Sequence, residues 1–357
     1  MTKLRVGIIF GGRSGEHEVS VTSAASIFKH IDRGKYEPIP IRIEKDGSWS
    51  FAQHEPTASN VAQAIEQARD AERDTTTTSD PALGALKLDV VFPVLHGPYG
   101  EDGTIQGLLE MAGLAYVGNG VLASAAGMDK SIMKILFEGR GLPVCRWHGF
   151  VQPEWNRNRG ATLRHIATLG LPVFVKPANL GSSVGISKVK TQDDLVPAIE
   201  LALQFDRKVV VEAAVPRARE IECAVLGNDD PATSVPGEIL PSREFYDYEA
   251  KYLDEGSKTV IPADLPPATA AEVQRLAVEA FRAIDGAGLA RVDFLMDGES
   301  GTIYLNEINT LPGFTNISMY SKMWEASGIA YSALVDRLIQ LGIERHAEKQ
   351  RLKVSAL

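Results

Sequence analysis

The sequence predicts an α/β protein of two to three domains that opens on an open, mostly parallel sheet. Three observations carry this. The chain has 357 residues, against roughly 150 for one domain. Its 44% hydrophobic and 23% charged residues supply real cores and exclude wholesale disorder. Its first third repeats strand, glycine-bearing loop and helix, the order of a layer whose ligands gather beyond the carboxyl ends of the strands.

Leu4 to Phe10 is a compact apolar run bounded by Gly11 and Gly12, as a strand buried on both faces requires. The loop Arg13 to Glu18 leads into a helix over Val19 to His30. Strands are expected at Tyr36 to Ile43 and at Leu88 to Leu95, the latter opening the loop His96-Gly-Pro-Tyr-Gly-Glu-Asp-Gly103 and a helix from Thr104 to Met111. The tract from Glu55 to Pro81 is rich in Ala, Gln, Thr and charge and reads as an exposed helix and loop. A helix from Ser131 to Arg140 stops at Gly141 and Pro143. Strands follow at Trp147 to Val151, Pro172 to Lys176, Ile186 to Val189 and Val209 to Ala213, with helices near Leu163 to Leu169 and Asp194 to Phe205. The last third holds strands at Glu220 to Leu226 and Ser234 to Leu240 and a long loop from Pro241 to Pro267. A helix from Thr269 to Asp285, a hairpin from Ala290 to Asn309 and a closing helix from Tyr331 to Gly342 complete it.

The net charge of −9 and pI near 5.4, with no basic block, argue against nucleic acid or an anionic membrane as partner. Cys145 and Cys223 lack any Cys-x-x-Cys spacing, so neither a disulfide framework nor a cysteine zinc site is supported, and a reducing cytoplasm fits. No signal peptide is expected, nor any stretch near the roughly 18 apolar residues of a membrane span.

Chemistry concentrates in the last hairpin. Residues two apart on a strand share a face, so Arg291 joins Asp293, and Glu307 joins Asn309. A turn near Glu299 would set Arg291 opposite Glu307, with Val292, Phe294, Tyr304 and Ile308 on the apolar face. Three oxygen-bearing side chains then suit Mg2+, which completes its shell with phosphates and water. Cross-strand ion pairing is the plainer alternative. The next loop carries Gly313, whose backbone N–H can face an oxyanion. A second set joins Lys176, the loop Gly181 to Gly185 and Glu212, where an ammonium and exposed backbone donors can meet a phosphate. It is not a P-loop, because the Gly-x4-Gly-Lys-Ser/Thr order is missing. The first glycine loop lacks Gly-x-Gly-x-x-Gly spacing; Glu16 there either caps the helix dipole or binds an ammonium group. The histidines show no metal-ligand spacing, and His96 stands out for opening the second strand-edge loop. The aromatic loop Glu244 to Tyr252 reads as a packed surface loop or as a lid delivering Lys251 and Tyr252.

Taken together, these motifs resemble the D-alanine–D-alanine ligase family of the ATP-grasp superfamily over essentially the whole chain. The matching segments are Gly-Gly-Arg-Ser-Gly-Glu16-His-Glu-Val-Ser20, His96 to Gly103, Met128-Asp-Lys130, Val175-Lys-Pro177, Gly181-Ser-Ser-Val-Gly185, Tyr246-Asp-Tyr-Glu-Ala-Lys-Tyr252, Arg291-Val-Asp293 and Glu307-Ile-Asn-Thr-Leu-Pro-Gly313. The resemblance implies a three-domain ATP-grasp architecture with a Rossmann-like N-terminal layer, divided at 1–120, 121–213 and 214–357, with ATP between the last two. It implies Lys130, Lys176, Ser183 and Lys251 at the ATP phosphates, Glu212 at the adenine side and Glu220 near the ribose. Asp293, Glu307 and Asn309 would bind two Mg2+ ions; Mn2+ in their place and a monovalent cation are also admitted. Glu16 would take the ammonium of the first D-alanine, with Ser182 and Tyr252 as its hydrogen-bonded partners. Arg291 and the Gly313 amide would stabilise the tetrahedral intermediate, and Ser318 and the Met319 backbone would hold the second carboxylate, with His96 also on the substrate side. The implied activity joins two D-alanines through an acyl phosphate for peptidoglycan precursors, in a cytoplasmic homodimer. A D-lactate-using ligase and a catalytically silent ATP-grasp protein are the alternatives. Tyr252 speaks against the first and the intact Arg291, Asp293, Glu307 and Asn309 against the second.

Overall fold

A computed structural model describes residues 2–51, 54–70, 83–182, 184–240 and 258–353. The first apolar run becomes strand β1 (Leu4–Gly11), followed by helix α1 (His17–His30), β2 (Tyr36–Ile43), the two-residue β3 (Trp49–Ser50), α2 (Val61–Asp70), β4 (Val90–Pro93) and α3 (Thr104–Met111). β1 lies between β2 and β4, parallel to both, and only β3 turns back antiparallel. Apolar residues line both faces of β1 because both are covered: Val6, Ile8 and Phe10 pack with α1, while Ile9 packs with Ile105 and Leu109 of α3. Helix α2 falls where the biased tract predicted one; residues 71–81 of that tract lie outside the described residues.

Two helices follow, α4 (Val121–Met128), which the sequence reading did not foresee, and α5 (Lys130–Gly139). Asp129 starts α5 by accepting from the backbone of Ser131 and Ile132. The central part contains β5 (Trp147–Val151), α6 (Gln152–Ala167), β6 (Val173–Pro177), β7 (Ser187–Val189), α7 (Gln192–Ala202) and β8 (Lys208–Ala213). Its antiparallel sheet runs β5-β8-β6-β7 over a core of Val173, Val175, Val209 and Val211 against Ile166, Leu195 and Ile199. Helix α6 starts well before the expected Leu163, because its first turns are almost wholly polar and carry no apolar period.

The C-terminal part comprises β9 (Arg219–Gly227), β10 (Ala232–Thr233), β11 (Gly237–Leu240), β12 (Lys258–Val260), α8 (Pro267–Ala283), β13 (Gly288–Met296), β14 (Ile303–Asn309), α9 (Met319–Ala326) and α10 (Tyr331–Gln350). Its antiparallel sheet, β12-β11-β9-β13-β14, packs Ile221, Cys223, Val292, Phe294 and Ile308 against α8 and against Met133 and Phe137 of α5. Helix α10 leaves this part and returns to the first sheet, where Leu334, Val335, Leu338 and Ile339 share one core with Val6, Ile8, Phe10 and Phe92.

The hairpin register corrects an expectation. Arg291 pairs with Asn309 and Asp293 with Glu307, because the register shifts between Asp293 and Phe294. Beyond the shift Phe294 faces Leu305, so Asn306 is the extra residue of a β-bulge. The bulge also moves the core position from Tyr304 to Leu305, which is fully buried together with Ile308.

Candidate active site

On the cleft face of the C-terminal sheet, Arg291 donates through Nε and Nη2 to the two carboxylate oxygens of Asp293, each at 2.7 Å. Its Nε also lies 3.1 Å from Glu222 Oε2, and Asn309 Nδ2 donates to Asp293 Oδ2 at 2.9 Å. Burial disfavours the guanidinium charge, but Asp293, Glu222 and Glu307 outweigh it and hold Arg291 protonated. One guanidinium facing three carboxylates leaves an anionic surplus of hard oxygen donors. Among the described residues, no group of three or more His, Cys, Asp or Glu side chains forms a metal cage. The oxygen donors of Asp293, Glu307 and Asn309 are of the type a hard cation such as Mg2+ takes, with the rest of its shell drawn from phosphates and water. Glu222 was not among the candidates, although the alternation Glu220-Ile-Glu222 places both carboxylates on one strand face. Glu220 pairs in register with Leu295.

Opposite stands the central sheet. Glu212 faces Phe174 in register, with Lys176 diagonal to it on the same face. The Lys176 ammonium donates to Glu212 Oε2 at 2.7 Å and reaches Asn306 Oδ1 at 3.5 Å, so it spans from the central sheet to the bulged strand. Glu212 Oε1 lies 3.0 Å from Nζ of Lys134, a fully buried lysine on α5. Burial alone would raise the Glu212 carboxyl; Lys134 and then Lys176 outweigh it and pull it down to about 2. Burial likewise opposes the charge of Lys176, which Glu212 and Glu307 restore. Lys130, one turn before Lys134, donates to Leu180 O at 2.7 Å at the start of the glycine-serine loop. Lys134 was not among the residues singled out in the sequence; its signal is the Lys130-x3-Lys134 spacing on one helix face.

The third cluster joins the N-terminal loops to both other parts. Glu16 precedes α1 without capping it through its side chain; instead it accepts a short hydrogen bond from Ser182 Oγ, 166 positions away. Glu16 therefore makes no capping hydrogen bond and presents its carboxylate to Ser182 instead. Gly97 makes room for this carboxylate: it has φ +74°, and a Cβ there would stand 2.7 Å from Glu16 Oε2. His96 is buried, with Nε2 3.1 Å from Ser23 Oγ, Nδ1 3.2 Å from Leu311 O and 3.8 Å from Glu101 Oε1. Burial disfavours imidazolium, but Glu101 and Glu16 outweigh it and raise the His96 pKa. Glu101 is itself pushed up by burial, and by Glu16, against the pull of His96. His96 thus fastens the N-terminal edge to the C-terminal loop rather than lying open to a ligand. The neighbouring Glu101, absent from the sequence-derived set, sits five positions on in the same loop.

Ser318 precedes α9 and its Oγ accepts from the backbone of Thr315 at 3.0 Å; Met319 is the first residue of that helix, an element the sequence pattern did not predict. The Gly313 Cα is close enough that a Cβ would lie 3.5 Å from Ser318 Oγ. Ser183, Lys251 and Tyr252, with the rest of the expected lid, lie outside the described residues.

Two facing antiparallel sheets, one with a lysine-flanked carboxylate and the other with an acidic, guanidinium-centred hairpin, define a nucleotide-grasping architecture. The family model described as D-ala D-ala ligase N-terminus matches residues 5–119, and that described as D-ala D-ala ligase C-terminus matches residues 136–340. The chain is 46% identical to a D-alanine–D-alanine ligase of Bacillus cytotoxicus, covering 99% of each chain. It is 50% identical to one from a Thermoanaerobacter species, over 98% of this chain and 99% of that one. Among solved structures, the D-alanine–D-alanine ligase from Coxiella burnetii superposes with a TM-score of 0.81 at 35% identity, covering 98% of this chain and 97% of that one. The VanG D-Ala:D-Ser ligase from Enterococcus faecalis gives 0.83 at 35% identity, covering 96% and 100%. The chain belongs to the D-alanine–D-alanine ligase family and has the ATP-grasp fold of that family.

Proposed function

We propose that the chain joins two D-alanines into D-alanyl-D-alanine with cleavage of ATP to ADP and phosphate, in the cytoplasm, as a homodimer and for peptidoglycan precursors. The observation that carries the reading is the Glu16 carboxylate, which is presented across the chain to Ser182 rather than capping α1. An acceptor of that kind suits the ammonium of an amino acid.

The carboxylate of the first D-alanine is phosphorylated from ATP, and the amine of the second displaces phosphate from the resulting acyl phosphate. Lys130 and Lys176 hold the phosphates from the central side, Glu212 and Glu220 the nucleoside side. Asp293, Glu307 and Asn309 would hold Mg2+, which when bound would neutralise phosphate charge during transfer. Glu16 and Ser182 fix the first D-alanine; Ser318 and the Met319 backbone at the start of α9 fix the second carboxylate. Arg291 and the Gly313 amide face the oxygen that gains charge as the tetrahedral intermediate forms. His96 positions the substrate-side loop. Ser183, Lys251 and Tyr252 are assigned by motif alone, the latter two to a lid that excludes water. The chain divides into domains at 1–120, 121–213 and 214–357, with ATP between the last two.

The test is phosphate release from ATP with D-alanine, L-alanine, D-serine or D-lactate, singly and in pairs. Release and dipeptide with D-alanine alone are expected. Faster turnover when D-lactate or D-serine is added as acceptor would replace this substrate assignment, and no turnover with any pair would favour a silent binding protein.

A further inference from the structure

We infer that Lys134 is a positioning residue for the reaction, keeping Lys176 aimed at the ATP phosphates by holding the other oxygen of Glu212. The inference rests on the assignment of Lys176 to those phosphates.

Lys134 is fully enclosed on α5, with Nζ 3.0 Å from Glu212 Oε1, while Lys176 Nζ is 2.7 Å from Oε2 of the same carboxylate. Glu212 is thus divided between two ammonium groups. A buried ion pair is a weak device for stability, since apolar side chains of similar volume often serve as well or better. Its effect here is on charge. With Lys134 in place one carboxylate serves two cations, and the cluster keeps a net positive charge for an incoming phosphate. Without it, Glu212 is the private counter-ion of Lys176, and the ammonium is both neutralised and drawn toward the β8 strand.

The frame around Lys134 makes this a defined geometry. On one side of α5, Met133 and Phe137 are embedded in the core of the C-terminal sheet. At its start, Lys130 N donates to Ala178 O at 3.0 Å, and Asp129 is ion-paired with Lys208 at the start of β8. The helix is therefore pinned both to the sheet that carries Lys176 and to the sheet that carries Glu307. Lys134 enters the cluster from this fixed backbone, and the Lys176 ammonium is left within reach of Asn306 at the cleft.

The experiment compares the affinity of Lys134→Met and Lys176→Met for ATP, ADP and adenosine, with KM for ATP and for D-alanine and the melting temperature. Lys134→Met is expected to weaken ATP and ADP roughly 10- to 100-fold, the scale on which outer partners act on the groups they orient. Adenosine, which meets Glu212 but carries no phosphate for Lys176, should lose clearly less than ATP, and the KM for D-alanine should stay within about twofold. Equal losses for adenosine and ATP, or unchanged ATP affinity in folded Lys134→Met while Lys176→Met loses it, would overturn the inference. If Lys176→Met itself binds ATP normally, the phosphate assignment falls instead. Should Lys134→Met not fold, Lys134→Gln, which can still donate to Glu212 without a charge, gives the same reading; failure of both to fold leaves a structural role and overturns the inference.

Discussion

The two walls of the cleft are built from the same residue types in opposite proportion. On the C-terminal sheet one guanidinium sits among three carboxylates; on the central sheet one carboxylate sits between two ammonium groups. The first wall is complete only with added cations, the second only with an added anion. The Mg2+ and polyphosphate of the proposed reaction would supply both, so that neither wall would need to be neutral on its own. The difference also separates two kinds of cost. Removing Glu307 from the acidic wall harms chemistry first, whereas removing the shared Glu212 from the basic wall strands two buried ammonium groups and harms folding.

The largest effect that would test this contrast is on the acidic wall. Glu307→Gln should lower kcat at least roughly 10³-fold, since metal-assisted charge neutralisation contributes several kcal/mol. The variant should remain folded, since Arg291 keeps Asp293 and Glu222 and Lys176 keeps Glu212 as partners. Near-normal phosphate release at ordinary Mg2+ would make Glu307 a structural residue.

On the basic wall, Glu212→Gln should cost about 3–5 kcal/mol of stability at neutral pH, because it leaves two buried ammonium groups face to face. The folded carboxyl is depressed to about 2 from the ordinary 4.5, burial opposing and Lys134 and Lys176 prevailing. Stability from such a group is present above the unfolded value and lost as pH falls through the folded one. The gap between wild type and variant in urea unfolding should therefore narrow between pH 4.5 and 2; a gap constant across that window would show that Glu212 is not held ionised.

Arg291 mixes the two behaviours. Arg291→Ala should lose roughly 10²- to 10³-fold in kcat if the guanidinium meets the oxyanion, and should also melt earlier because Asp293 and Glu222 lose their partner. Arg291→Lys separates the two, keeping charge but not the two-pronged contact with Asp293. Full kcat in the folded fraction of either variant would reduce Arg291 to an ion-pair residue. The smallest effect belongs to the hydroxyl that bridges the walls to the N-terminal layer: Ser182→Ala should raise the KM for the first D-alanine about tenfold, the scale of one hydrogen bond to a charged group. A KM shift for ATP alone would reassign the Glu16 contact.

Much of this was legible from local pattern. The strands at Leu4, Tyr36 and Trp147 and the helix at Thr104 fell where periodicity put them, because burial on one or both faces leaves a mark on every residue. The hairpin that carries Arg291 to Asn309 was also found, but not its register. A turn centre fixes pairing only while the strands stay regular, and the extra residue Asn306 breaks that count. The trace it left is the three-residue spacing of Leu305 and Ile308, where a regular strand would space its core residues by two. Lys134 and Glu222 were hidden differently. A charged residue on a helix or strand looks like a solvated one until its partner is known, and those partners, Glu212 and Arg291, are about seventy positions away in sequence. Glu16 was recoverable as a candidate because its loop is polar and glycine-rich, yet only its contact with Ser182 separates an outward carboxylate from a cap.

The return of α10 to the first sheet bears on how the molecule is made. A chain emerging from the ribosome delivers β1, α1, β2 and β4 long before Leu334, Val335, Leu338 and Ile339, the residues that close their shared core. Through most of synthesis, therefore, the apolar face that α1 shares with α10 is only partly covered, and it is in this interval that the nascent chain is most open to association with others or with a chaperone. The layer that is translated first is the last to be finished, and a chain stopped just before Tyr331 would carry nearly all the chemistry of the cleft on a scaffold whose opening sheet had never closed.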